Sequence, residues 1–228
     1  MRSVGMPRMG EKINMSIEKS IGWTDRTCNP IKGKCKGGCW YCWTKPLYKR
    51  KFLQPKIHLD LDVFFKLPKS PKKIFLCSTH DLFGEWVQSW WRTAIFERIE
   101  AHPQHTFQIL TKFPENIDRP MPDNVWLGIT VEDGFELERR MRSFQKIEAT
   151  KKFISFEPLL AGILWANYLM GIDWVIVGRL TGHGHENDPE KRFIESIVEE
   201  ANWKQIPVFL KNNLKRIWGE SLIQEFPK

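Results

Sequence analysis

A chain of 228 residues has room for one substantial core and hardly for two. Its 42% hydrophobic and 27% charged residues are ordinary for a globular protein, and with no run of about 18 apolar residues no membrane span is expected. A net charge of +8 favours a polyanionic partner, of which nucleic acid is the commonest.

Residues Met1–Met15 are basic and rich in Met and Gly, without the apolar run of a secretory signal. They read as a flexible tail, with Met15 an alternative start, ahead of a single domain over 16–228. A strand is expected near Glu18–Trp23, before the cysteines. From residue 72 onward, short runs rich in β-branched and aromatic residues alternate with longer amphipathic ones. Strands are expected at Lys73–Ser78, Thr106–Thr111, Val125–Val131, Lys152–Phe156, Asp173–Gly178 and Pro207–Lys211. Helices are expected at Glu85–Ala101, Gly134–Glu148 and Pro189–Asn202, the last with Asp188 as N-cap and Pro189 at the first helical position. This alternation implies parallel strands joined by right-handed crossovers, and strands apolar nearly throughout imply two buried faces. The expected architecture is an α/β barrel, closed or partly open, of six or seven mainly parallel strands, with its chemistry at the C-terminal strand ends.

The five cysteines are Cys28, Cys35, Cys39, Cys42 and Cys77. An odd count without an export signal argues against a disulfide framework and for a reducing cytoplasm, where clustered thiols more often hold metal. The segment Cys35-Lys-Gly-Gly-Cys39-Trp-Tyr-Cys42 has the spacing C-x3-C-x2-C. Three thiolates fit a [4Fe–4S] cluster with one open iron, which can take the amino and carboxylate groups of S-adenosylmethionine. Gly37 and Gly38 let the loop wrap tightly. The competing reading is a closed zinc site completed by Cys28 or a histidine, although no second C-x2-C pair is present. Tyr41 fits an aromatic wall for adenine or simple core packing.

Several polar residues fall at expected strand ends. Ser78, Asp81, Thr111, Lys112, Glu157 and Gly178 are candidates for cofactor contact, with Glu157 set to hold ribose hydroxyls or an amino group. Cys77 is either a buried structural thiol or a catalytic one. Lys45, Lys49, Arg50 and Lys51 follow the motif and can steer nucleic acid toward it, and Arg179 and Lys211 are further candidates for phosphate or base contact. Trp40 and Trp43 flank the third cysteine and offer a surface for an extruded base. His183 and His185 read as surface residues.

With an aromatic residue before its third cysteine, the motif resembles that of the radical SAM superfamily. More closely, the chain is similar to a phage- and prokaryote-associated branch known for its three-cysteine motif. The matching stretches are Gly22–Asp25 with Asn29-Pro30, Phe75–Ser78 with Asp81–Phe83, Leu110–Lys112, Asn124–Gly128 with Val131–Asp133, Ser155–Leu160, Asp173–Gly178 and Phe209–Lys211. The resemblance implies a partial (βα)6-type radical SAM barrel, monomeric and cytoplasmic, served by a reductase or a flavodoxin/ferredoxin electron donor. The run Cys77-Ser78-Thr79-His80-Asp81 is also similar to the cysteine-bearing stretch of spore photoproduct lyase, which implies a lyase that repairs a pyrimidine photolesion in DNA. In that chemistry an adenosyl radical takes a hydrogen atom from the lesion's methylene bridge, the bridging C–C bond breaks, and Cys77 returns a hydrogen atom to the thymine radical. The alternative substrates are RNA or a modified nucleotide, and the alternative without catalysis is a zinc-stabilised nucleic-acid-binding protein. The chain departs from the branch in two places: Arg179-Leu180-Thr181-Gly182 stands where the branch has Glu-Ser-Gly after its glycine, and Cys28 stands where it has Trp.

Overall fold

Each of the six runs expected as strands from residue 72 onward forms one. The computed structural model describes residues 21–51, 53–164, 168–219 and 221–228. Its strands are β1 (Arg26–Cys28), β2 (Ile31–Lys32), β3 (His58–Leu59), β4 (Lys73–Leu76), β5 (Thr106–Thr111), β6 (Val125–Thr130), β7 (Lys151–Phe156), β8 (Trp174–Val177) and β9 (Val208–Leu210). Its helices are α1 (Lys45–Lys49), α2 (Ser89–Glu100), α3 (Gly134–Phe144), α4 (Lys191–Trp203) and α5 (Lys215–Trp218). Seven strands pair in the order β1-β4-β5-β6-β7-β8-β9, and every pairing is parallel. Because that order follows the chain, each crossover adds the next strand to the same edge, and the sheet curls into a half-barrel, as the partial α/β barrel requires. Strands β2 and β3 form a separate antiparallel ribbon. The outer edge of β9 is covered by the C-terminal segment, where Leu210 N–H donates to the Ile223 carbonyl at 2.7 Å and Glu225 N–H to the Val208 carbonyl at 2.9 Å.

Side chains alternate across the sheet, so the apolar strands build two cores. On the helix-covered face, Leu76, Ile109, Leu127, Ile129, Ile154, Val175 and Leu210 pack with Ile95 of α2, Leu137 of α3 and Ile194 of α4. On the concave face, Trp23, Phe153, Trp174, Ile176 and Phe209 form a second cluster, with Phe75, Leu110 and Trp126 against it. Trp174 lies at its centre, with ring centroids of Phe153 at 5.6 Å, Trp126 at 6.0 Å and Trp23 and Phe209 at 6.1 Å. This aromatic plug closes the half-barrel interior beneath the strand ends.

Two local expectations shift. Of the strand expected at Glu18–Trp23, residues 18–20 lie outside the described ones, as does the tail 1–15, and Ile21–Trp23 are not in a strand. The first strand starts at Arg26 instead, because Trp23 turns into the plug and is 2% exposed. Asp188 does not cap a helix: α4 begins at Lys191 behind Glu190, and the Asp188 carboxylate is taken by Arg179 and Arg216. Among the described residues no helix is long and apolar enough to cross a membrane.

Candidate active site at the strand ends

The two-residue period that builds the plug runs on past the last residue of each strand. After Gln108 and Leu110 of β5 comes Lys112, and after Trp126, Gly128 and Thr130 of β6 comes Glu132. Phe153 and Ser155 of β7 lead to Glu157, Trp174 and Ile176 of β8 to Gly178, and Phe209 of β9 to Lys211. The aromatic interior is therefore topped by a polar ring at the C-terminal mouth. Lys211 pairs with Glu157, and Lys112 pairs with Glu132. Gly178 sits between the former two: an added Cβ would lie 3.0 Å from the Glu157 carboxyl and 3.0 Å from Lys211 Cδ, so only glycine leaves this pair undisturbed.

Glu132 is the most heavily committed member. Its Oε2 accepts from Arg140 of α3 at 2.6 Å, and Arg140 also holds Glu136 at 2.7 Å and the Thr130 carbonyl. Burial pushes the Glu132 carboxyl up, but Lys112 and Arg140 outweigh it and hold the carboxyl below the usual carboxylate range. The Tyr41 hydroxyl donates to Glu132 and accepts from Lys112 Nζ at 2.5 Å. Burial, then the Glu132 charge, raises the Tyr41 phenol far above its ordinary value, so it stays protonated.

Tyr41 brings the cysteine loop with it. Cys35, Cys39 and Cys42 are partly exposed free thiols. Gly37 N–H donates to Cys35 Sγ at 3.4 Å, Cys39 Sγ lies 3.9 Å from the Gly37 carbonyl, and Cys42 Sγ is 3.0 Å from Thr44 Oγ1. Gly38 has φ +74°, which the tight wrap of the loop required. Beneath the loop, the Trp86 ring lies 3.6 Å from where a Gly37 Cβ would stand, and its indole N–H donates to His80 Nε2 at 2.7 Å. Burial lowers the His80 pKa to about 4, so the imidazole stays neutral and keeps that acceptor. Three soft sulfur donors on a loop with a backbone N–H aimed at one of them fit an iron–sulfur cluster. Burial pushes the Cys35 thiol up to about 11, so a metal must displace its proton on binding. Among the described residues no three His, Cys, Asp or Glu side chains converge tightly enough to form a ready single-ion site.

A family model described as "Protein of unknown function (DUF5131)" matches residues 18–225. The chain belongs to that family. No curated protein and no solved structure matches it. For this DUF5131 chain the fold and the arrangement of the mouth are therefore the structural guides to chemistry.

Not every residue singled out from the sequence reaches the mouth. Tyr41, Lys112, Glu157, Gly178 and Lys211 do. Asp81 instead accepts from Thr111 Oγ1 at 2.7 Å, Lys112 N–H at 2.9 Å and Phe83 N–H at 3.1 Å, which clasps the β4 and β5 loops together and leaves neither Asp81 nor Thr111 free for a cofactor. Ser78 donates to Asn29 Oδ1 at 3.1 Å and ties the end of β4 to the end of β1. Of the two expected nucleic-acid contacts beyond α1, Arg179 pairs with Asp188 and donates to the Gly184 carbonyl, and Lys211 is 8% exposed against Glu157. Lys45 is partly exposed, and Lys49, Arg50 and Lys51 are exposed.

Cys77 is also displaced. Period-two alternation would put it with Phe75 on the concave face, but its φ of +57° turns the chain. Cys77 N–H then bonds the Cys28 carbonyl at 2.8 Å, and the side chain joins the helix-side core beside Cys28. Burial holds its thiol well above the usual range, and burial pushes Cys28 up to about 12. Sequence reasoning missed Glu132 and Arg140 as site residues. The signal for Glu132 was present, since it continues the Trp126–Gly128–Thr130 alternation, but Arg140 is one of three arginines on α3 and carries no such mark.

Proposed function

We propose that this protein is a radical S-adenosylmethionine enzyme acting on nucleic acid, nearest in kind to a DNA photoproduct lyase. The observation that carries the reading is the docking of a C-x3-C-x2-C loop on the C-terminal mouth of a parallel half-barrel, through Tyr41 to Glu132 and Lys112. Cys35, Cys39 and Cys42 would hold a [4Fe–4S] cluster, which when bound supplies the electron that splits S-adenosylmethionine and yields a 5′-deoxyadenosyl radical. The ring supports this in its own chemistry: the Glu157–Lys211 pair, left undisturbed by Gly178, carries both signs of charge that a zwitterionic amino acid needs. Tyr41 fixes the loop over that ring, and the aromatic plug keeps water from below. Cys77 remains the proposed hydrogen-atom donor. Its burial keeps the sulfur as S–H, the form that can give a hydrogen atom to a carbon radical.

The deciding experiment is anaerobic reconstitution followed by incubation with dithionite, S-adenosylmethionine and irradiated DNA. We expect about four irons per chain, formation of 5′-deoxyadenosine, and loss of both in Cys35→Ala, Cys39→Ala or Cys42→Ala. Cys77→Ala should release 5′-deoxyadenosine without clean repair. Zinc in place of iron under strict anaerobiosis would end the enzyme reading, and full repair by Cys77→Ala would remove that thiol from the chemistry.

A further inference from the structure

We infer that Trp40 and His183 form an aromatic notch at the rim of the mouth that takes an unpaired nucleobase. This deepens the proposed function and rests on its nucleic-acid substrate. Trp40 directly follows Cys39 and is 55% exposed, an unusual state for so large an apolar ring. It is nonetheless held. Its ring meets Tyr41 at 5.4 Å and 85° and His183 at 5.4 Å and 74°, edge-to-face contacts on two sides. Lys45 Nζ donates to its carbonyl at 3.3 Å.

Both neighbours are themselves anchored. Tyr41 is fixed by Glu132 and Lys112. His183 rides on the loop after β8, which is pinned at its two ends by Arg179 and Asp188, with Arg216 of α5 on the same carboxylate. Asn213 Nδ2 also donates to Thr181 Oγ1 at 3.1 Å. An exposed ring braced in this way loses little conformational entropy when a flat partner stacks on it. Lys45 and the exposed Lys49, Arg50 and Lys51 on and just after α1 lie in the sequence immediately beyond the notch and supply the charge for a phosphate backbone. Bases in an intact duplex keep their faces inside the stack, so the notch can read only a base that is single-stranded or turned out.

The test is fluorescence anisotropy with the full-length, anaerobically reconstituted protein and labelled 10-mer oligodeoxynucleotides, as a single strand and as the blunt duplex, with the matching ribo-oligonucleotide to separate a DNA source from an RNA one. The single strand of at least one sugar type should bind more tightly than the duplex. Trp40→Ala should weaken single-strand binding about tenfold, Trp40→Phe should restore most of it, and His183→Ala should weaken it several-fold. Iron content and circular dichroism establish that each variant is folded and loaded. Equal binding of single strand and duplex, or a folded Trp40→Ala protein that binds like the wild type, would overturn the inference while leaving the radical reading standing. Trp40-dependent binding by a wild-type protein that forms no 5′-deoxyadenosine would do the reverse: the notch would stand and the radical reading would fall.

Discussion

Removing the Glu132 carboxylate would leave Lys112 without its counter-ion and Arg140, 5% exposed at its side chain, with Glu136 alone. Breaking a buried pair by deleting one partner costs about 3 kcal/mol or more, so Glu132→Gln should lose about that much at neutral pH. The pH dependence follows from the sign of its shift. The folded carboxyl titrates below the usual carboxylate range, so on acidification the unfolded chain takes up the proton first. The stabilisation is complete above the ordinary carboxylate value of about 4.3 and is lost as pH falls through the lower folded value. Urea titrations of wild type and Glu132→Gln should therefore differ most at pH 7 and converge on the acid side. A gap that stayed constant from neutral to acid pH would mean that the charge is not what Glu132 contributes. That Tyr41, Lys112, Glu157 and Gly178 lie near the strand ends was legible because a strand's alternation and a motif's spacing are both local patterns. The turn that carries Cys77 off the concave face was not legible, because its left-handed backbone answers to a hydrogen bond with Cys28, forty-nine residues earlier in the chain.

At the scale of elements, strands were read more reliably than helix starts, and the reason is physical. A strand buried on both faces must be apolar almost throughout, so its sequence declares it. A cap depends on where one carboxylate points. The Asp188-Pro189 pair has the composition of a helix start, yet Asp188 faces away and gathers Arg179, His185 at 2.9 Å and Arg216. Burial raises the Asp188 carboxyl, but these three partners hold it below the usual range. Its work is to close the loop between β8 and α4 and to tie that loop to α5. Asp188→Asn should cost about 2 kcal/mol, as expected for a charge-assisted hydrogen bond. Amide exchange over residues 180–187 should quicken while that of β8 stays as it was. Uniform quickening across the sheet would instead assign Asp188 to global stability.

At the scale of the molecule, a parallel sheet gives the half-barrel two chemically different ends. All seven strands run toward the mouth, so segments that lead into strands and segments that leave them gather on opposite sides. Some of the cations near the mouth are internally paired: Lys112, Arg140, Arg179 and Lys211 each end on a carboxylate. Among the described residues the exposed cations on and after the cysteine loop include Lys34, Lys36 and, around α1, Lys49, Arg50 and Lys51. The exposed Lys66 and Lys69 precede β4 and so belong to the other end. Each phosphate contact on a single strand contributes a slope of about −0.7 to the logarithm of the binding constant against the logarithm of salt concentration. Neutralising Lys49, Arg50 and Lys51 together to Gln should flatten that slope by about 2 and weaken binding irrespective of base sequence. The Lys66→Gln, Lys69→Gln double variant should leave the slope unchanged, although it too lowers the net charge. If the two variants flattened it in proportion to the charge removed, attraction would come from net charge spread over the whole surface, and α1 would lose its part in bringing the strand to the mouth.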